Sequence, residues 1–209
     1  MDADKEEKKP VLVIATNNIH KIREIKAILH ELIPQVDLLS LKDFPHYTPP
    51  QETGNSFEEN SILKAVHAAK ELNHYTLSDD SGLIVPALSG EPGIFSARYA
   101  GENSSDADNR KKLLDKLKSI KEKDRFAYFE CCVCVAGPEG LLKSACASCE
   151  GIILQQERGG GGFGYDPIFL KHDYNKTFSE LSENVKNQIS HRRKALNKII
   201  HFLESLFTE

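Results

Sequence analysis

Glu52, Glu58, Glu59, Asp79 and Asp80 are the side chains of this sequence best suited to hold a hard cation, and Asp79-Asp80-Ser81-Gly82 is their tightest grouping. Tyr75 to Ser78 reads as a short strand, so the two carboxylates are expected in a polar turn at its end. Magnesium takes oxygen ligands and keeps several waters, so one or two carboxylates beside substrate phosphates are enough to bind it. A like-charged neighbour also raises a carboxylate pKa unless a cation compensates. A solvent-exposed Asx-turn would explain the same four residues without any chemistry.

Three further groups could act on an anionic substrate. Thr16, Asn17, Asn18, Ile19, His20 and Lys21 form a strand-to-helix junction, where free N–H groups and the helix dipole attract anions; it lacks the glycines of a Walker loop. Gly161-Gly162-Phe163-Gly164-Tyr165-Asp166-Pro167 combines close backbone approach with flat faces for a base. Ser190-His191-Arg192-Arg193, with Lys186 upstream, is rich in donors for phosphate or carbonyl oxygens. Taken singly, each has an ordinary account: a capped helix, a flexible loop on buried aromatics, a solvated basic face. Ser96-Ala97-Arg98-Tyr99 could likewise be a surface turn.

The elements that must position these groups alternate strand and helix. Val11 to Ala15 is a continuous apolar run, as in a strand buried on both faces, and leads into a helix with Ile22, Ile25, Leu29 and Leu32 on one stripe. Pro34 ends that helix, and Val36 to Leu41 could form a second strand. Residues 43–54 hold three prolines and a glycine and read as a loop. Ser56-Phe57-Glu58-Glu59 is a capping-box pattern opening a helix with Leu63, Val66, Ala69 and Leu72 on its stripe. Residues 83–88 are expected extended, and Asp106 to Lys121 helical with Leu113, Leu117 and Ile120 inward. Gly137-Pro138-Glu139-Gly140 should turn a hairpin between 126–136 and 141–149. A helix of about five turns carrying Ile189, Leu196, Ile199, Leu203 and Leu206 closes the chain. Two βα units around a hairpin imply an α/β fold with a mixed sheet.

The 209 residues suit one domain, or one domain with two lobes. A net charge of -4 provides no basic footprint, which argues against duplex nucleic acid as a partner. No run of about 18 apolar residues is present to span a membrane as a helix. Residues 1–10 are charged and read as a disordered tail, not a signal peptide, so the cytoplasm is the expected compartment. Five cysteines include Cys146-x-x-Cys149, yet Cys132 and Cys134 alternate in an apolar run and are read as small buried hydrophobes, in preference to zinc or disulfide partners.

Jointly and in order, the motifs resemble the inosine triphosphate pyrophosphatase family over about Val11 to Leu196. They are Ala15-Thr16-Asn17-Asn18 with Lys21 and Glu24, Glu52-Thr53-Gly54-Asn55-Ser56-Phe57-Glu58-Glu59-Asn60 with Lys64-Ala65, and Asp79 to Leu83. Pro92 to Gly101, Gly162 to Pro167 and Ser190-His191-Arg192 complete the set. The resemblance implies an elongated two-lobed α/β fold over residues 11–209, a substrate cleft between the lobes and a homodimer. It also implies hydrolysis of non-standard purine nucleoside triphosphates (ITP, dITP, XTP) to the monophosphate and pyrophosphate. By position, Thr16, Asn17, Asn18, Ile19, His20, Lys21 and Lys64 would bind the triphosphate. Glu52 and Asp80 would hold Mg²⁺, Asp80 also being the catalytic residue, and Ser81 would contact substrate. Phe163, Gly164, Tyr165, Asp166, Lys186, His191 and Arg192 would form the nucleoside pocket, His191 and Arg192 offering donors to a 6-oxo group. Asn17, Ser61 and Pro86 depart from the common glycine, alanine and acidic residue. A septum-formation-type pyrophosphatase acting on pyrimidine or modified nucleotides is the competing reading, opposed by the Phe163 and His191 motifs. A nucleotide-binding module without turnover is another, opposed by Glu52 and Asp80.

Overall fold

Strand β1 (Val11–Ile14) is buried because it lies between two parallel neighbours, β2 (Asp37–Ser40) and β3 (Tyr75–Ile84), in a computed structural model that describes residues 9–208. Apart from Lys9 and Pro10, the expected charged tail lies outside the described residues. Parallel neighbours need crossovers. Helices α1 (Ile19–Leu32) and α2 (Phe57–Leu72) supply them. Beyond β3 the sheet turns antiparallel through the long hairpin β4 (Phe126–Gly137) and β5 (Gly140–Ile153), then β6 (Phe169–Lys171) and β7 (Lys176–Thr177). Its order is β2-β1-β3-β4-β5-β6-β7, the mixed α/β sheet expected. Helices α3 (Asp106–Lys116), α4 (Glu183–Ile189) and α5 (His191–Leu206) complete the chain. No helix among the described residues is long and apolar enough to cross a membrane.

Helix α1 and helix α5 cover one face of the sheet, packing Ile25, Leu29, Leu196 and Leu203 on Leu12, Leu77 and Val133. On the opposite face α2 sets Ala65 and Ala69 against Cys134 and Ala136. A second packing centre lies toward the other ends of β3, β4 and β5, where Leu83, Leu113, Phe129, Phe169 and Phe178 meet. These two centres are the physical content of the two lobes.

Local sequence preference is overridden in several places. The acidic segment is no turn: β3 runs unbroken through it, with Asp79 opposite Val133 and Asp80 opposite Cys132. Strand β4 satisfies the backbone groups that an Asx-turn would have left to side chains or water. The buried residues of α2 are Phe57, Asn60, Ser61, Ala65, Ala68 and Ala69, so of the expected stripe Ala69 is buried while Leu63, Val66 and Leu72 are only partly so. Small residues bring this helix close to the sheet, and Ser61 hydrogen-bonds the Ser78 hydroxyl (2.9 Å). Ser56 caps α2 through Glu59 N (3.1 Å), but the Glu59 carboxylate accepts from Asn55 N, so the box closes one residue early. Helix α3 ends at Lys116, and Leu117 and Ile120 follow in turns. The closing helix is two helices. Ser190 ends α4, and its hydroxyl caps α5 by accepting from Arg193 N (3.2 Å). Ile189 accordingly packs in the second centre and Leu196 in the first.

Cys131, Cys134 and Cys149 are buried and free, as expected of small hydrophobes. Cys132 and Cys146 correct that reading, for they form a disulfide. The hairpin register sets them directly opposite, which spacing along the chain could not reveal.

Candidate functional site

Successive side chains of a strand point to opposite faces. Asp79 therefore meets α1 and α5, and Asp80 meets α2. Asp79 is fully buried: its Oδ2 accepts from Arg192 Nη2 (2.9 Å) and Nε (3.3 Å) and pairs with Lys21 Nζ (3.2 Å). Burial alone would raise its pKa, but Lys21, Arg192 and Lys64 together hold it far below the usual carboxylate range. Asp80 contacts Lys64 Nζ (3.3 Å), Asn60 Nδ2 (3.3 Å) and, at 4.0 Å, Lys21 Nζ. Burial raises its pKa, and Lys21 and Lys64 do not fully offset that with Glu52 and Asp79 close by.

Gly82 follows because nothing larger fits. A Cβ there would sit 2.4 Å from Ser96 Oγ and 2.6 Å from Gly93 O, so the short 3-10 turn Gly93–Arg98 packs directly on the strand. Ser96 Oγ completes the contact by accepting from Leu83 N (2.9 Å). Glu52 arrives from the proline-rich loop and accepts from Lys64 Nζ (2.9 Å), so one ammonium bridges Glu52 and Asp80.

Across the cleft the glycine loop is shaped by Asp166. Its Oδ2 accepts from Phe163 N (2.9 Å) and Lys186 Nζ (2.5 Å), and a Cβ on the left-handed Gly162 would overlap it at 2.1 Å. Lys186 also pairs with Glu24 (2.8 Å), and Asp166 and Glu24 keep its pKa raised although burial opposes the charge. Glu24 reaches Arg192 as well. Arg192 thus commits Nε, Nη1 and both Nη2 hydrogens to Asp79, Glu24 and Ser81, leaving one of its five N–H groups for a ligand. His191 stacks on Phe129 with ring centroids 4.8 Å apart. Burial first, then Arg192 and Lys186, push its pKa well below the usual value, so it is neutral at pH 7 with Nδ1 unpaired.

A cleft of about 340 Å³ joins these parts. It brings together Thr16, Asn17, Asn18, Lys21, Glu52, Lys64, Asp80, Ser81, Phe163, Gly164, Tyr165, Asp166, Lys186, His191 and Arg192. Ile19 and His20 do not line it. Helix α1 begins at Ile19, whose side chain turns to solvent, and His20 stacks on Phe163 from a neighbouring pocket. Glu58 and Glu59 also stand apart, one accepting from Ser144 Oγ and the other capping. Motif reading missed Glu24 as a site residue, although its place three residues after Lys21 sets both on one helix face. It also gave no role to Arg98, which lines the cleft from the 3-10 turn, or to Asn60, which contacts Asp80, although both fall inside the motifs Pro92 to Gly101 and Glu52 to Asn60. Among the described residues no three His, Cys, Asp or Glu side chains cluster as a metal centre on their own.

A Ham1 family profile matches residues 12–202. A dITP/XTP pyrophosphatase of Protochlamydia amoebophila is 52% identical over 196 residues, covering 93% of this chain and 98% of its own length. The dITP/XTP pyrophosphatase of Chlamydia caviae is 53% identical over 196 residues, covering 93% and 95%. Among solved structures, the Ham1 protein of Staphylococcus aureus matches with a TM-score of 0.81 at 46% identity, covering 93% of this chain and 98% of that one. A HAM1 protein from Coxiella burnetii matches with a TM-score of 0.83 at 37% identity, covering 94% and 99%.

Proposed function

The chain belongs to the Ham1 family, and we propose that it hydrolyses non-standard purine nucleoside triphosphates (dITP, XTP and ITP) to the monophosphate and pyrophosphate. The observation that carries this reading is the cleft itself. A carboxylate flanked by two lysines stands at one end and an aromatic pocket with a neutral histidine at the other.

Lys21 and Lys64 are placed to take up the negative charge that develops on departing pyrophosphate. The N-terminus of α1 adds its dipole on the same side. Asp80 orients the attacking water, accepting its hydrogen bond on a carboxylate that Asn60 and Lys64 fix in place. Glu52 and Asp80 fit Mg²⁺ as two hard-oxygen donors converging on one ammonium, a pair that suffices beside phosphates and water. When bound, the metal polarises the phosphorus centre and lowers the pKa of bound water.

Selection of the base falls chiefly on His191, since Arg192 and Lys186 are both largely committed to buried carboxylates and keep one N–H each. A buried, unpaired His191 Nδ1 offers a hydrogen bond whose loss with a mismatched base would be costly. We carry the homodimer and the cytoplasmic location as parts of the same reading. Pyrophosphate release measured across ITP, XTP, dITP, GTP, ATP and UTP tests it. The 6-oxo, non-standard purines should be turned over with the highest kcat/KM, and equal efficiency on ATP and ITP would sink it.

A further inference from the structure

Phe163 separates two cavities. One is the cleft; the other is a pocket of about 170 Å³ behind it, lined by His20, Glu24, Phe178 and Lys186 among others. His20 faces only the second. There its ring lies nearly parallel to that of Phe163, with centroids 5.0 Å apart and planes inclined by 12°. The two rings come from opposite sides of the cleft, His20 from the first turn of α1 and Phe163 from the glycine loop.

The ring of Phe163 needs such support. Its neighbours Gly162 and Gly164 both hold positive φ (73° and 58°), a backbone that glycine supplies without strain but also without stiffness. Asp166 fixes the Phe163 amide, which leaves the side chain itself to be held by packing. Lys186, 4.7 Å from the ring centroid, and the His20 ring are the contacts that define its plane. His20, in turn, is set by the Asn18 cap, whose Oδ1 accepts from the His20 amide (3.0 Å). A chain of contacts therefore runs from the strand-to-helix junction to the aromatic wall of the nucleoside pocket.

We propose that His20 is a positioning residue for base binding: it backs Phe163 across the cleft mouth, and it does not bind the triphosphate. This rests on the cleft being a purine nucleotide site. Aromatic pairs of this kind are worth about a three- to tenfold change in an equilibrium. His20→Ala should therefore raise KM for ITP and Ki for IMP by a similar factor, about three to ten, with KM rising more than kcat falls. Inhibition by pyrophosphate, which lacks a base, should stay as in the wild type. His20→Phe should restore both constants, because it keeps a flat ring and discards any imidazole–phosphate contact. In a Phe163→Leu background, His20→Ala should add little.

A triphosphate-binding role predicts the reverse: weakened pyrophosphate and ITP, unchanged IMP, and no rescue by phenylalanine. That pattern would overturn the proposal. Amide hydrogen exchange over residues 161–165 reads the stack without any nucleotide. It should quicken in His20→Ala and return to the wild-type rate in His20→Phe, and unchanged exchange in both would also overturn it. Failure of the wild-type chain to release pyrophosphate from ITP would instead strike the functional reading, leaving the exchange result to judge the stack.

Discussion

The two faces of β3 make the most instructive contrast in the molecule, because adjacent aspartates experience opposite surroundings there. On the α1/α5 face Asp79 is shut in, held by Arg192 at 2.9 Å and Lys21 at 3.2 Å, and ionised far below its ordinary range. On the α2 face Asp80 borders the cleft. Its contacts are all 3.3 Å or longer, and burial leaves its pKa raised. A carboxylate whose Oδ2 is taken by a guanidinium and an ammonium, and whose Oδ1 is shut away without a partner, is closed to a ligand in the cleft. One held by long contacts to an ammonium and an amide can exchange those contacts for a metal or a water. The alternation of one strand therefore sets one acid into the packing and the other on the cleft, the one proposed to react.

Neutralising each in turn should separate the two roles, and Asp80→Asn should have the largest effect on activity. Loss of the water-positioning carboxylate should lower kcat/KM by about a hundredfold or more. Stability should not fall with it. The raised pKa means the fold favours neutral Asp80, so ionised Asp80 costs stability at neutral pH and the amide removes that cost. Near-normal turnover at saturating magnesium, or a large drop in Tm, would break the contrast.

Asp79→Asn should act the other way round. Breaking a buried pair while leaving the guanidinium behind costs about 3 kcal/mol, or roughly 10 °C in Tm for a chain of this size. Any activity loss should follow unfolding and be recovered at low temperature. An unchanged Tm would mean that Glu24 alone compensates Arg192.

Acid should sharpen the same distinction. Asp79 has a depressed folded-state pKa, so its stabilisation is complete above the unfolded value of about 3.9 and disappears only as pH falls below that. Asp80 has a raised one, so its proton competes with magnesium at higher pH. The magnesium concentration for half-maximal activity should rise as pH is lowered toward the carboxylate range, and the rise should begin at a pH where Asp79 still leaves Tm unaffected. A magnesium requirement independent of pH would show that Asp80 is not a ligand.

The two βα units, the hairpin and the mixed sheet could be read from periodicity and turn residues, since these are set within each segment. The contrast between the aspartates could not be read that way. Asp-Asp-Ser-Gly favours a turn locally, and only pairing with β4, some fifty residues later, keeps it extended. Residue roles came from motif resemblance, which names positions but not partners. It did not show that Arg192 is nearly spent on Asp79 and Glu24, or that His20 turns away from the cleft. Ser190 was legible as a cap in principle, yet the apolar spacing on both sides matched one helix, and the break appears only because two packing centres draw the halves apart.

The disulfide belongs to this class of tertiary facts, and it offers the mildest test of the contrast. Cys132 lies opposite Asp80 in the β3–β4 register and is bonded to Cys146 on β5, so the bridge is a neighbour of the reactive face alone. It joins two strands already paired along their length, while Asp80 is positioned from α2 by Asn60 and Lys64. Reduction should therefore change kcat/KM by less than about threefold, a difference under 1 kcal/mol. Alkylation of the unfolded chain should modify three cysteines without reductant and all five with it. A larger loss of activity on reduction, with Tm and the Asp79 face unchanged, would show that β5 helps to set Asp80 through Cys132, and the reactive face would then extend one strand further than its direct contacts.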